Sequence, residues 1–248
     1  MRLRRIAVIL ACSGALCLSA IGEGIRIAAA SNLQFVMPAL VDAFRAEYPE
    51  AKVSVSHAAS GNLVAQIRHG APFDLLMAAD THYPQALIES GHAESQSLFV
   101  FAHGILVLWP QPQEQSTWQE ILADSKLNRL AIAHPEIAPY GQAAQSFLKH
   151  HGLWENLRSR IVTGENAAQT LQFVQSGNAD VGFVAASLLV SLPDSRPGIE
   201  FDLGEAALPH GAVRLTKSKR GTAADRFLTW LAEDEAVEIL RDNGYRVP

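Results

Sequence analysis

From Ile25 onward, short β-like runs alternate with helix-like ones, and no other feature of the chain restricts its fold so strongly. IRIAAA leads into an amphipathic segment ending near Tyr48, AKVSVSH into GNLVAQIRHG, and FDLLMAA into HYPQALIESG. Repeated strand-helix units make a parallel sheet covered by helices. Pro38 interrupts the first helical segment, so that helix either starts late or bends. A second series follows Phe101-Ala102-His103-Gly104. It runs through ILVLW, TWQEILAD, RLAIAH and YGQAAQSFLKHHG, the last closed by Gly152 in a C-cap position. RIVTG, NAAQTLQFVQSG, ADVGFVAA and SLLVSL continue the alternation. After IEFDL and the link GEAALPHG, the strand AVRLT leads to two closing helices over 222–232 and 234–243.

The two series are separated by polar, Gly-containing crossings near residues 101–105 and 203–211. They suggest an α/β protein of two lobes joined by two strands, the C-terminal segment returning to the first. Lobe 1 is then 24–102 plus 206–248, and lobe 2 is 103–205. A single larger α/β domain fits the same alternation. Between two such lobes lies a cleft where a small ligand binds.

Ahead of this body, MRLRRIAVILACSGALCLSA places Arg2, Arg4 and Arg5 before an uncharged run from Ile6 to Ala20. This reads as a cleaved signal peptide over residues 1–20, too short and too broken by Ser13, Gly14 and Ser19 for a membrane span. Both cysteines of the chain, Cys12 and Cys17, lie inside it, so the mature protein is expected to have no disulfide and no thiol chemistry. Loss of the three arginines lowers the formal charge from −5 to −8. Such a balance argues against a nucleic-acid partner. A soluble periplasmic product is expected.

Four strand-to-helix junctions share one design: Ser31-Asn32, Ser60-Gly61-Asn62, Pro139-Tyr140-Gly141 and Asn166-Ala167-Ala168. Each puts small or polar residues where a helix begins. First-turn amides have no intrahelical acceptor and attract anions without formal positive charge. The serines also offer hydroxyl donors. At any single junction, ordinary N-capping accounts for Ser or Asn equally well. No Lys or Arg lies within the four junctions, which favours a compact, fully deprotonated oxyanion met by neutral donors. Asp80 and Glu165 are the nearest acceptors, read here as orienting their loops.

AAASN (28–32), ASGNLVAQIRHGAPFDLLMAAD (59–80), HPEIAPYG (134–141), GENAAQ (164–169) and NADVGFVA (178–185) follow in an order and spacing that resemble the periplasmic molybdate-binding proteins of ABC importers across essentially the whole mature length. The resemblance implies a two-lobed periplasmic binding protein of type II, each lobe a mainly parallel sheet flanked by helices. It implies closure around molybdate or tungstate, and a membrane permease as partner. It maps ligand contacts onto Ser31, Asn32, Ser60, Tyr140 and Ala167, the last two through backbone amides. Part of the family places a tyrosine just after the GFV-like strand; this chain has Ala185 there. Another branch also lacks that tyrosine and carries APYG, as here.

Two other readings compete. A binding protein for sulfate, phosphate or another small oxyanion would share the fold and the helix-start chemistry. A secreted serine hydrolase is suggested by the serines and nine histidines, but Ser60 in HAASGN lacks a G-x-S-x-G elbow. The scattered histidines show no metal-ligand spacing, so no direct protein-metal ligand and no cofactor is expected. Trp109, Trp118, Trp154 and Trp230 read as core or rim residues, and the protein as a monomeric receptor rather than an enzyme.

Overall fold

The computed structural model describes residues 24–113, 115–192, 197–201 and 208–247. The leader with its two cysteines, and residues 203–207 of the second crossing, lie outside the described residues. Two five-stranded sheets form the frame. The first joins β1 (Ile25–Ala30), β2 (Val53–Ala58), β3 (Leu75–Met77), β4 (Phe99–Gly104) and β10 (Leu208–Arg214) in the order β2-β1-β3-β10-β4. The second joins β5 (Leu106–Trp109), β6 (Leu130–Ala133), β7 (Ile161–Gly164), β8 (Val181–Ala185) and β9 (Ile199–Glu200) in the order β7-β6-β8-β5-β9.

The strand-helix repeats build the parallel half of each sheet, β2-β1-β3 and β7-β6-β8. The other half is antiparallel, because β10 and β5 enter from the crossings and run against their neighbours. Each sheet is therefore mixed rather than mainly parallel. Strands at the centre are buried on both faces, which is why LAIA, VGFVA and LVLW read as unbroken apolar runs.

Pro38 is resolved by a late start. Residues Ser31–Leu33 form one 3-10 turn, and α1 (Val36–Glu47) begins three residues later. Pro38 then sits in the first turn, where its missing N–H has no helical acceptor to lose. Val36, Met37, Leu40, Val41 and Phe44 make the buried face of α1. Phe44 meets Phe227 and Trp230 of α9 (Gly221–Trp230) at ring separations of 5.0 and 5.4 Å. With α10 (Asp234–Asp242) also against α1, the C-terminal segment packs on the first sheet. The second sheet is covered by α4 (Trp118–Ala123), α5 (Pro139–His150) and α7 (Ala167–Gln175). Phe147, Phe183 and Phe201 form its aromatic centre. Gly152 follows α5 at φ +68°, a left-handed conformation suited to glycine.

Two local readings change. FAHG and LPHG are strand rather than link, since Gly104 pairs with Leu208, His103 with Pro209 and Ala102 with His210. Gly, His and Pro have weak strand preference, and tertiary pairing overrides it. SLLVSL keeps its place in the alternation after β8, its start folding with Ala186 as one helical turn, α8 (Ala186–Leu189).

Candidate functional site

The four junctions lie at the C-terminal ends of parallel strands. β1 runs into the Ser31–Leu33 turn, β2 into α2 (Ser60–Arg68), β6 into α5 and β7 into α7. Ser31, Asn32, Ser60, Tyr140 and Ala167 are all buried. Contacts between the two sheets' loops draw the junctions together. The Gly61 N–H donates to the Ile137 carbonyl at 2.9 Å. Tyr83, on α3 (His82–Glu89), donates its hydroxyl to the Glu136 carbonyl at 3.0 Å. Ala59 packs against Ala133 and Ala138, and α7 lies against the Ser31–Leu33 turn.

Capping does not explain the serines. The N-cap positions of the 3-10 turn, α2 and α5 are Ala30, Ala59 and Ala138, none with a side-chain cap. Ser31 and Ser60 follow as the first residues inside. Of the four junctions only α7 has a side-chain cap, Asn166 accepting from the Gln169 N–H at 3.0 Å. Pro139 at the first position of α5 makes Tyr140 its first amide donor. Among the described residues the main-chain N–H groups of Ser60, Tyr140 and Ala167 have no partner. A buried helix start left without partners costs roughly 1 to 3 kcal/mol per group, a cost that an anion placed there offsets.

The Ser60 Oγ accepts from the Ala79 N–H at 3.2 Å, which leaves its own hydrogen free to donate elsewhere. The Ser31 hydroxyl makes no hydrogen bond among the described residues. The Asn32 side chain is engaged: its Nδ2 lies 2.7 Å from His210 Nε2 and 3.0 Å from the Tyr245 hydroxyl. The Tyr140 phenol, fully buried and without a partner, packs toward Gly104 and His210 instead of opening to solvent. Burial pushes its pKa far up, reinforced by Tyr245.

No Lys or Arg lies within the four junctions. Burial lowers the His57 imidazole despite the opposing carbonyls of Ala30 and Ala29, and lowers His210 to about 4. Burial raises the Asp80 carboxyl, whose Oδ1 accepts the Tyr83 N–H at 3.1 Å. Asp80 thus orients the start of α3, and with it the Tyr83 contact across the cleft. Glu165 is exposed, its N–H bound to Gln169 Oε1. The hydrolase arrangement is not built at Ser60, whose partner is an amide. Among the described residues the serine side chain bonded to a histidine is Ser90, two residues from His92 on the surface. Sequence reasoning missed Tyr83, Ser187, His210 and Tyr245 around the site. No local motif marks them, because each acts through a contact distant in sequence.

Buried, uncapped helix starts from two sheets facing one cleft define a receptor for a small anion. Residues 25–246 match the model of the bacterial extracellular solute-binding proteins, and the chain belongs to that family. Within it, the chain is 34% identical to the molybdate-binding protein ModA of Azotobacter vinelandii, over 98% of this chain and 97% of that one. It is 33% identical to ModA of Rhodobacter capsulatus, over 92% and 89%. Among solved structures, the Azotobacter vinelandii periplasmic molybdate-binding protein superposes with a TM-score of 0.84 at 31% identity, covering 90% of this chain and 99% of that one. The sulfate-binding protein SubI of Mycobacterium tuberculosis shares the fold, with a TM-score of 0.73 at 13% identity over 91% and 87%.

Proposed function

We propose that this protein is a periplasmic receptor that captures molybdate, and with it tungstate, and delivers the anion unchanged to the permease of an ABC importer. The observation that carries the reading is the set of buried N–H groups at Ser60, Tyr140 and Ala167, without a partner among the described residues and contributed by both sheets. Ser31 and Ser60 add hydroxyl donors, and Asn32 adds its main chain. A doubly charged tetrahedral oxyanion that needs no acceptor suits such a set. Hydrogen phosphate would also need an acceptor for its proton, and sulfate is a smaller tetrahedron than molybdate or tungstate. No bond is made or broken in the ligand, so the receptor needs no cofactor and no catalytic group, and we take it as a monomer.

The proposed lobes are residues 24–102 with 206–248 and residues 103–205, with β4 carrying the first sheet two residues further, to Gly104. The β4-to-β5 link at Ile105 and the return into β10 form the hinge, and closure presents both lobes' surfaces to the permease together. Titration calorimetry of the ligand-free protein against molybdate, tungstate, sulfate and phosphate tests the reading. Molybdate and tungstate are expected to bind far more tightly than the other two. Comparable affinity for sulfate would overturn it.

A further inference from the structure

His210 stands on the returning strand β10, fully buried, at a register shift in the pairing with β4. Its Nδ1 lies 2.8 Å from the Leu208 carbonyl, which can only accept, so Nδ1 carries the proton and Nε2 is bare. The bare nitrogen faces Asn32 Nδ2 at 2.7 Å, and the second Nδ2 hydrogen goes to the Tyr245 hydroxyl. Both side-chain donors of Asn32 are thereby spent within the protein. The Asn32 carbonyl is held as well, by the hydroxyls of Tyr245 at 2.9 Å and Ser187 at 3.1 Å. Because a peptide unit is planar, the clamped Asn32 carbonyl also fixes the N–H of Leu33, and the Ser31 carbonyl, which accepts from the Gln34 N–H at 3.3 Å, fixes that of Asn32.

The same ring meets the other lobe. Tyr140 packs edge-on to His210 at 6.0 Å between centroids. Its phenol occupies space that only a glycine at 104 leaves open: a Cβ there would stand 2.3 Å from Tyr140 Oη and 2.5 Å from His210 Cε1. One hinge residue therefore touches an anion-facing turn from each sheet.

We propose that His210 is a positioning residue for the oxyanion site: its imidazole ties down the Asn32 side chain, so that the Ser31–Leu33 turn presents main-chain donors, while its ring packs against Tyr140 of the other sheet's anion-facing turn. The inference rests on the oxyanion reading above and identifies which atoms of Asn32 serve it. His210 does not touch the ligand. It acts through Asn32.

The experiment measures molybdate affinity by calorimetry, and the melting temperature of the empty protein, for wild type, His210→Phe, Asn32→Ala and the double variant. Phenylalanine keeps the flat ring and removes the acceptor. His210→Phe is expected to weaken molybdate binding about tenfold in the folded protein, the scale of one lost hydrogen bond. The double variant is expected to bind no more weakly than the worse single one, since residues acting through one contact are not additive. A lower melting temperature with unchanged affinity makes His210 merely structural and overturns the proposal, as does full additivity. Nitrogen NMR of wild-type histidines applies even if the variant fails to fold: the Nδ1–H tautomer is expected, and an Nε2–H ring overturns the proposal. If wild type binds neither molybdate nor tungstate, the site reading falls and this inference with it. If wild type binds and His210→Phe binds equally, this inference alone falls.

Discussion

Ser31→Ala and Ser60→Ala remove the same atom from two junctions, yet the structure assigns them different consequences. Each hydroxyl is expected to donate to a charged oxygen in a cleft that excludes water, an interaction worth roughly 1.5 to 3 kcal/mol. At about 1.4 kcal/mol per decade, each substitution should weaken molybdate binding roughly tenfold to a hundredfold. Stability separates them. Ser31 is not an N-cap, and its hydroxyl makes no bond among the described residues, so Ser31→Ala should leave the melting transition of the empty protein nearly unchanged. Ser60 accepts the N–H of Ala79, a residue only 2% exposed. Ser60→Ala leaves that amide unpaired, which costs about 1 to 3 kcal/mol and should lower the melting temperature as well. The assay is a matched pair of measurements on each variant: thermal unfolding without ligand, then calorimetric titration with molybdate. Unchanged affinity in both variants would mean that the anion is held elsewhere. A large stability loss in Ser31→Ala with intact affinity would restore a capping role and refute the reasoning about the alanine N-caps.

Two further outcomes are expected. His210 has its pKa lowered to about 4 from 6.5 by burial, so it binds a proton in the unfolded chain more readily than in the folded one. Its contribution is fully present above pH 6.5 and is lost as pH falls toward 4, by about 3 kcal/mol in all; denaturant unfolding at a series of pH values should show this slope, and His210→Phe should lack it. Small-angle scattering should show a smaller radius of gyration with saturating molybdate than without it, and identical curves from protein confirmed to start empty would count against a hinge at Ile105 and the β10 return.

How much of this could be read from the chain depends on the range of the interactions involved. The alternation of strand and helix needs only neighbouring residues, so the βα units, the closing helices and the glycine after α5 stand in the sequence. The four junction motifs do as well, because a helix start is written in a few consecutive residues. The composition of those junctions, with no cation among them, already indicates neutral donors. What the sequence left open was set by partners far along the chain. Pro38 could bend α1 or delay it, and burial of the Ser31–Leu33 turn beneath α7 and α8 accompanies the late start. FAHG and LPHG carry no strand signal of their own, yet each completes the other's hydrogen bonds as β4 and β10. The serines of the site could have been caps, and alanines at 30, 59 and 138 took that place. His210, Tyr245 and Ser187 surround Asn32 from 155 to 213 residues away. Local propensity thus determined the elements and the donors that they offer. Only tertiary packing decided which donors are spent inside the protein and which remain for an anion, because that depends on what stands opposite each N–H and hydroxyl once two sheets close on one cleft.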